Sequence, residues 1–286
     1  MNIIENIQYR FRNANMVEKL IYINVAVFLL VFIVNTFGFL YQSTENILVK
    51  WFALPANFKA FIVKPWTLVS YGFLHVGFIH ILVNLIALFY IGNLFLEYFT
   101  QKQLLNFYIL GTIFGGIIFL LSYNYFPAFI NSSDRSVLLG ASAGISAIFI
   151  GVATYLPNYQ LKIRFVGYVK LWVLAVIWVA LDVIQIPSGN AGGHLAHLGG
   201  ALFGFLYVSK VSNTAIDIFK PIRSLFVKKQ KPLKTVYNSR KKTTTKKADK
   251  NINQQQIDTI LDKISKSGYD ALTKEEKDFL FKQGKN

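Results

Sequence analysis

Long apolar runs separated by short polar segments make up most of the first 210 residues of the chain. A helix needs about 20 mostly apolar residues to cross a lipid bilayer. Six runs approach that length, and they predict spans over residues 19–41, 75–98, 103–124, 138–156, 168–186 and 191–209. Inside a bilayer only helices or closed barrels satisfy every backbone N–H and C=O group. Runs of this length therefore predict an all-α polytopic membrane protein.

The pattern changes after the last apolar run. Residues 220–250 contain twelve Lys and Arg and a single acid, Asp249. A segment of this composition buries too little apolar surface to fold, so we predict a basic disordered linker over 211–253. A basic segment that follows a last span more often faces anionic lipids than nucleic acid. We therefore expect anionic lipids, and no nucleic acid, as partners of this tail.

Residues 254–286 predict a small amphipathic helical hairpin. Apolar residues recur at helical spacing from Ile257 to Ile264, and Gly268 then interrupts the pattern. Thr273 and Glu276, three residues apart, form a capping box that predicts a second helix start. About 30 residues bury little surface on their own, so we expect marginal stability or a partner for this module.

Composition supports lipid as the solvent of the apolar part. Only 15% of the residues are charged and 53% are hydrophobic, whereas soluble domains carry about 25% charged residues. The formal net charge of +16 does not conflict with this, because the excess is concentrated in the tail. The chain has no cysteine, which excludes disulfides, thiolate nucleophiles and zinc–thiolate sites.

The positions of Lys and Arg predict the orientation. Cytoplasmic loops carry an excess of these residues, and placing both termini in the cytoplasm puts five of them on that side: Arg10, Arg12, Lys102, Lys162 and Arg164. Residues 1–18 then form a cytoplasmic N-terminal segment, and the basic tail lies on the same side. The opposite side receives a long loop, residues 42–74, whose tryptophans favour the membrane interface.

In this orientation three spans bring polar residues to one depth. His80 and Asn84 lie near the start of span two, Ser142 lies about one turn into span four, and His194 and His197 lie near the start of span six. A histidine can accept the proton of a serine hydroxyl and make it a nucleophile. Backbone N–H groups at the helix start, with His80 and Asn84, can stabilise the oxyanion that forms.

Small residues give these spans a way to approach closely. Span six contains Ala196, Gly200 and Gly204 at intervals of four, a stripe that allows another helix to pack against it. Each polar residue also has a simpler interpretation, because a membrane serine often bonds its own helix and Asn84 alone could join two helices. Their shared depth favours a functional site.

Ordered motifs over residues 18–210 resemble the rhomboid family of intramembrane serine proteases. The stretch after Trp66, "TLVSYGFLHVGFIHILVNL", resembles the family's loop and second span, with His75, His80 and Asn84 at the family's positions. "GASAG" resembles the nucleophile motif, and "AHLGGALFG" resembles the sixth span.

The resemblance implies a six-helix catalytic domain over 19–210, with Ser142 as nucleophile and His197 as base. It implies a dyad without a third carboxylate, and an oxyanion hole formed by the Ser142 amide, His80 and Asn84. The implied activity is peptide hydrolysis within or beside the membrane helix of a protein substrate, with no metal and no cofactor.

Several positions depart from the family pattern. Thr67 replaces a common arginine, Ala143 replaces a common glycine, and Ser146 replaces an aromatic residue that stacks on the catalytic histidine. The sequence therefore leaves open what orients His197. We expect Asp182 in span five to lie near the outer mouth, exposed to water. His194 competes with His197 as base, and we expect it to be a span-entry residue at the interface.

Two other functions remain as alternatives. A catalytically inactive rhomboid-like protein would bind membrane helices, although such proteins usually lack the serine or the histidine that this chain keeps. A small transporter with a proton relay would need carboxylates at mid-depth, and spans two, four and six contain none there. The C-terminal module resembles an extension of some bacterial rhomboids, so we expect a bacterial cell membrane.

Overall fold

The structure is a computed structural model that describes residues 2–43, 45–211 and 246–283. The chain divides into two units, Met1–Val227 and Lys228–Asn286. The described α-helices are α1 Ile3–Asn13, α2 Met16–Leu40, α3 Ile47–Phe52, α4 Phe58–Val63, α5 Thr67–Ser70, α6 Phe78–Tyr98, α7 Gln101–Tyr125, α8 Pro127–Ile130, α9 Ser142–Tyr155, α10 Leu171–Gln185, α11 Ala191–Val211, α12 Lys246–Ser267 and α13 Lys274–Gln283. The described strands are β1 Leu54–Pro55, β2 Val137–Leu138, β3 Gln160–Ile163 and β4 Gly167–Lys170.

Four helices in the described part of the chain are long and apolar enough to cross a membrane. They are α2, α6, α7 and α10 with the 3₁₀ turn that follows it, and they lie within the first, second, third and fifth predicted spans or extend them by a few residues. Helix α9 is apolar but has only 14 residues. Helix α11 has 21 residues and interrupts its apolar sequence with glycines and two histidines.

The all-α prediction is wrong at the starts of spans four and five. The expected start of span four instead forms β2, which pairs antiparallel with β1. Gly140 follows with a φ of +127°, a conformation that side chains disfavour, so the helix begins only at Ser142. Before span five, β3 and β4 form an antiparallel hairpin, and α10 begins at Leu171.

Helix α9 lies at the centre of the first unit. Every residue from Ala143 to Ala153 is buried, as expected for a helix that is apolar on all sides. A β carbon on Gly200 would overlap the carbonyl oxygen of Ala143, and one on Gly204 would overlap that of Ala147. The predicted small-residue stripe therefore brings the backbones of α9 and α11 into contact.

Hydrogen bonds to α7 fix the turn that precedes α6. The hydroxyl of Tyr71 donates to the carbonyl of Thr112 at 2.6 Å. The hydroxyl of Tyr108 donates to the carbonyl of Gly72 at 2.7 Å. The carbonyl of Tyr71 in turn accepts a bond of 3.0 Å from the Gly140 N–H. This chain of contacts positions the segment just before Ser142.

The loop before α5 has its own hydrogen-bonded frame. The indole N–H of Trp66 donates to the carbonyl of Trp51 at 2.9 Å, and the two rings stack with centroids 6.3 Å apart. Thr67, at the position where the family often has arginine, is buried and donates to the carbonyl of Lys64 at 2.6 Å. A threonine therefore ties this turn to the loop without a cation.

The second unit, where described, is a pair of helices joined by a 3₁₀ turn. Gly268 ends α12 with a φ of +80°, which explains the break in its sequence pattern. The predicted capping box is confirmed, because the Thr273 N–H donates to Glu276 at 2.8 Å and Glu276 N–H donates to the Thr273 hydroxyl at 3.3 Å. Helix α12 begins at Lys246, inside the segment predicted as linker, because lysines and Ala248 favour helix. Residues 212–245, the remainder of that segment, lie outside the described residues.

Candidate active site

The hydroxyl of Ser142 and the ring of His197 are in hydrogen-bonding contact. Ser142 is the first residue of α9, not one turn into it, and His197 lies in the second turn of α11. The distance from Ser142 Oγ to His197 Nε2 is 2.6 Å. The close approach of α9 and α11 at Gly200, one turn further along α11, makes this contact possible.

His80 and Asn84 line the same cavity as Ser142 and His197. The cavity measures about 380 Å³, and apolar side chains and Asn190 complete its wall. Asn84 is buried, and its Nδ2 donates to the carbonyl of His80 at 2.9 Å. The structure thus brings together the four residues singled out from the sequence.

Gly140 allows His80 to approach the start of α9. A β carbon at Gly140 would lie 2.9 Å from His80 Nε2 and 3.7 Å from Ser142 Oγ. The imidazole of His80 is therefore close to the serine. As the first helical residue, Ser142 also has a backbone N–H with no acceptor within its own helix. His80 and the first N–H groups of α9 therefore lie near the hydroxyl of Ser142.

His75 supports the segment before Ser142. It is fully buried, and its Nε2 accepts a hydrogen bond of 3.4 Å from the Ala141 N–H. Its ring lies edge-on to that of His80, with centroids 5.0 Å apart. Burial, followed by the charge of the neighbouring His80, lowers the pKa of His75 to about 4. A neutral ring at neutral pH is what this acceptor role requires.

Asp182 is buried, and the expectation that it is exposed near the outer mouth is wrong. Its Oδ1 lies 2.8 Å from Nδ1 of His197 and 2.9 Å from Nδ1 of His194. The structure therefore places a carboxylate beside His197 that the expected dyad did not include. Asp182 faces inward because α11 offers it two N–H groups there, and a buried carboxylate needs such partners.

His194 is likewise not the exposed span-entry residue that we expected. Only 14% of its side chain is accessible, because its ring is bonded to Asp182. It lies three positions before His197 on α11, and the two rings meet edge-on with centroids 5.8 Å apart. Of the two histidines, His197 is the one hydrogen-bonded to Ser142.

The sequence model of the rhomboid domain matches residues 63–214, which is more than half of the chain. The chain belongs to the rhomboid family. It is 29% identical over 154 residues to RHOMBOID-like protein 12, mitochondrial, of Arabidopsis thaliana, which covers 51% of this chain and 45% of that protein. It is 30% identical over 169 residues to Presenilin-associated rhomboid-like protein A, mitochondrial, of Danio rerio, which covers 58% and 42%.

A third relative of this rhomboid is bacterial. The chain is 24% identical over 167 residues to Rhomboid protease GlpG of Yersinia pseudotuberculosis, which covers 55% of this chain and 51% of that protein. The chain spans about half the length of these relatives. A separate family of unknown function (DUF6576) matches residues 235–283. The protein is thus a multi-pass membrane protein with a rhomboid domain followed by a module of a second family.

Ser146 shows how this rhomboid fills the position where the family often has an aromatic residue. The serine is fully buried, and its hydroxyl accepts a hydrogen bond of 3.2 Å from the indole N–H of Trp178 on α10. The ring of Trp178 packs edge-on against Phe149 and lines the cavity. An aromatic side chain therefore reaches this region from α10 instead of α9.

Among the described residues, one cluster could hold a metal ion, and it consists of Asp182, His194 and His197. Each offers one ligand atom, and these atoms lie within 4.8 Å of one another. Two imidazoles and a carboxylate are a donor set that suits zinc. Hydrogen bonds between ring N–H groups and the carboxylate account for the same contacts, and we expect no metal in the reaction.

Proposed function

We propose that this rhomboid is a serine endopeptidase that cleaves a peptide bond within or beside the membrane helix of a protein substrate. The 2.6 Å contact between Ser142 Oγ and His197 Nε2, at a cavity open to a substrate chain, carries the proposal. Membership of a family that includes a relative named as a protease supports it. Ser142 is assigned as the nucleophile and His197 as the general base.

In the proposed reaction, Ser142 Oγ attacks the carbonyl carbon of the scissile bond and its proton moves to His197 Nε2. The carbonyl π electrons move to oxygen and form an oxyanion. Collapse of this intermediate breaks the C–N bond, and His197 gives its proton to the leaving amine. Water then attacks the acyl-enzyme ester, passes a proton to His197, and Ser142 recovers a proton as the ester C–O bond breaks.

His80, Asn84 and the backbone N–H of Ser142 are assigned to oxyanion stabilisation. Donors aimed at a developing charge are most effective in a site of low dielectric constant. All three groups adjoin the cavity that contains the hydroxyl. The Nδ2 group of Asn84 has two N–H bonds. One donates to the carbonyl of His80, and the other is assigned to the oxyanion.

We infer that six helices, α2, α6, α7, α9, α10 and α11, cross the bilayer, with both termini in the cytoplasm. The distribution of Lys and Arg in short loops supports this orientation. Because the chain has no cysteine, single-cysteine variants report topology without background. In intact cells, a membrane-impermeant maleimide should label the Asp134→Cys variant and leave the Lys102→Cys variant unlabelled.

The proposed substrates are single-span proteins whose helices contain destabilising residues near the outer face, because an extended segment must reach Ser142. The basic residues between 220 and 250 are assigned to anionic lipids at the cytoplasmic surface. A bacterial cell membrane is the proposed location. The Yersinia relative supports it, although two of the relatives above are named as mitochondrial.

Cleavage of a single-span substrate in proteoliposomes tests the proposal. The full chain should release a fragment, and Ser142→Ala and His197→Ala should each abolish release while leaving the protein folded in detergent. Glu97→Gln, on α6 and away from the cavity, serves as a control that retains activity. Binding of the substrate without cleavage by the unaltered chain would favour the alternative, a catalytically inactive protein that binds membrane helices.

A further inference from the structure

We propose that Asp182 is a positioning residue for the reaction assigned above, so that the chain uses an Asp182–His197–Ser142 triad in place of a two-residue dyad. This inference rests on the proposed protease function. It concerns how His197 is oriented, a question that the replacement of an aromatic residue by Ser146 leaves open.

The place of Asp182 in α10 points to a specific task. Leu171 and Asp182 are the only buried residues of this helix in the described chain, and the rest of α10 is partly or fully accessible. A carboxylate is costly to bury in a membrane helix unless it has partners. The one acid of α10 therefore lies at one of its two buried positions, at the contact with α11.

The hydrogen bonds fix the tautomer of His197. A carboxylate only accepts, so the Nδ1 that lies 2.8 Å from Asp182 carries the proton. Nε2 is then unprotonated and lies 2.6 Å from Ser142 Oγ as the acceptor of the hydroxyl proton. A carboxylate at this place also stabilises the imidazolium that forms when His197 takes this proton.

His194 holds the carboxylate in place. Its Nδ1 donates at 2.9 Å to the same Oδ1 that accepts from His197. Oδ2 is buried and has no hydrogen-bond partner among the described residues. The carboxylate is therefore restrained through one oxygen by two N–H groups of α11, and rotation would cost both bonds.

A purely structural task for Asp182 is the competing explanation, because the same bonds join α10 to α11. The two explanations predict different kinetics. Loss of an anchor would lower the melting temperature and raise KM. Loss of a positioning group would lower kcat, and would also slow the reaction of Ser142 with a small fluorophosphonate, which needs no docking of a membrane helix.

The test uses the full chain in detergent and in proteoliposomes. Asp182→Asn should lower kcat and the fluorophosphonate inactivation rate by about 10²–10⁴-fold, with KM changed less than about threefold. Asp182→Glu keeps the charge and should recover at least about tenfold of the lost rate. Asp134→Asn removes a carboxylate that is bonded to Asn57 in an outer loop, and it should leave both rates unchanged.

Three results would overturn the inference. The first is a fluorophosphonate rate in Asp182→Asn equal to that of the unaltered chain, with loss confined to KM or melting temperature. The second is an equal loss in Asp182→Glu and Asp182→Asn when both variants melt like the unaltered chain. The third is loss of activity on chelation with recovery on adding zinc, since Asp182 would then be a metal ligand. If the unaltered chain neither cleaves nor labels at Ser142, the proposed function itself fails.

Discussion

The carbonyl oxygen of Ala143 lies against Gly200, where any β carbon would overlap it. Gly200→Ala should therefore separate α9 from α11 and destabilise the protein by about 1–3 kcal/mol. It should also slow cleavage, because Ser142 and His197 lie next to this contact. Gly38→Ala is the matched control, since a β carbon there meets only Ser43 at 3.7 Å. Equal melting temperatures of the two variants in detergent would contradict the packing argument.

The contact between Trp178 and Ser146 joins α10 to α9 beneath the cavity. Trp178→Phe removes the donor and Ser146→Ala removes the acceptor of this 3.2 Å bond. The two changes should not be additive, and their coupling in a double-mutant cycle should be about 0.5–1.5 kcal/mol. Additive effects on the free energy of unfolding would mean that the bond contributes nothing to stability.

Much of the site follows from the sequence because membrane spans limit where polar groups can lie. In the predicted orientation, the apolar runs bring four polar residues to one depth, and polar side chains at that depth usually turn toward the interior of the bundle. These residues are His80, Asn84, Ser142 and His197. The glycines of α11 indicate which helix can approach α9. The structure brings these residues to one cavity.

The role of α10 could not be predicted in the same way. The sequence predicts a depth for Asp182, but not how its helix is rotated about its own axis. That rotation depends on the two histidine N–H groups of α11. For the same reason, the hydrogen bond from Trp178 to Ser146 could not be predicted. The strand Val137–Leu138 could not be predicted either, because Val137, Leu138 and Leu139 continue the apolar run of the span up to Gly140.

Removing one oxyanion donor should lower kcat and leave KM nearly unchanged. His80→Ala and Asn84→Ala should each reduce kcat by about 10²–10³-fold, because we propose that each group stabilises a charge that develops only during the reaction. Asn93→Ala is the matched control on the same helix, since Asn93 also donates to the carbonyl four residues earlier, at 2.7 Å. Asn93 does not line the cavity. A similar loss in all three variants would indicate a general effect on α6.

His75 should make stability sensitive to mild acid. Its folded-state pKa of about 4 lies below the ordinary value of 6.5, so the unfolded chain takes up a proton first as the pH falls. The contribution of the neutral His75 ring to the free energy of unfolding is complete above pH 6.5. It declines as the pH falls from 6.5 towards 4 and is lost below that window. His75→Gln should weaken this dependence of melting temperature on pH. An unchanged pH dependence in that variant would rule His75 out as its source.

The capping box of the second unit can be tested in the full chain. Glu276→Ala removes the carboxylate that accepts from the Thr273 N–H and Lys263, so helix α13 should exchange its amide hydrogens faster. Glu275→Ala changes a neighbouring exposed acid of the same first turn and should have a smaller effect. Hydrogen-exchange mass spectrometry of peptides covering Lys274–Gln283 measures the difference. Equal exchange in both variants would show that the capping box does not hold this helix.

Fluorophosphonate labelling of the full chain in detergent, with the adduct located by mass spectrometry, tests whether His197 activates Ser142. We expect a single adduct on Ser142 that disappears in His197→Ala and persists in Ser146→Ala. An adduct at another serine, or full labelling of Ser142 in His197→Ala, would show that His197 does not activate Ser142.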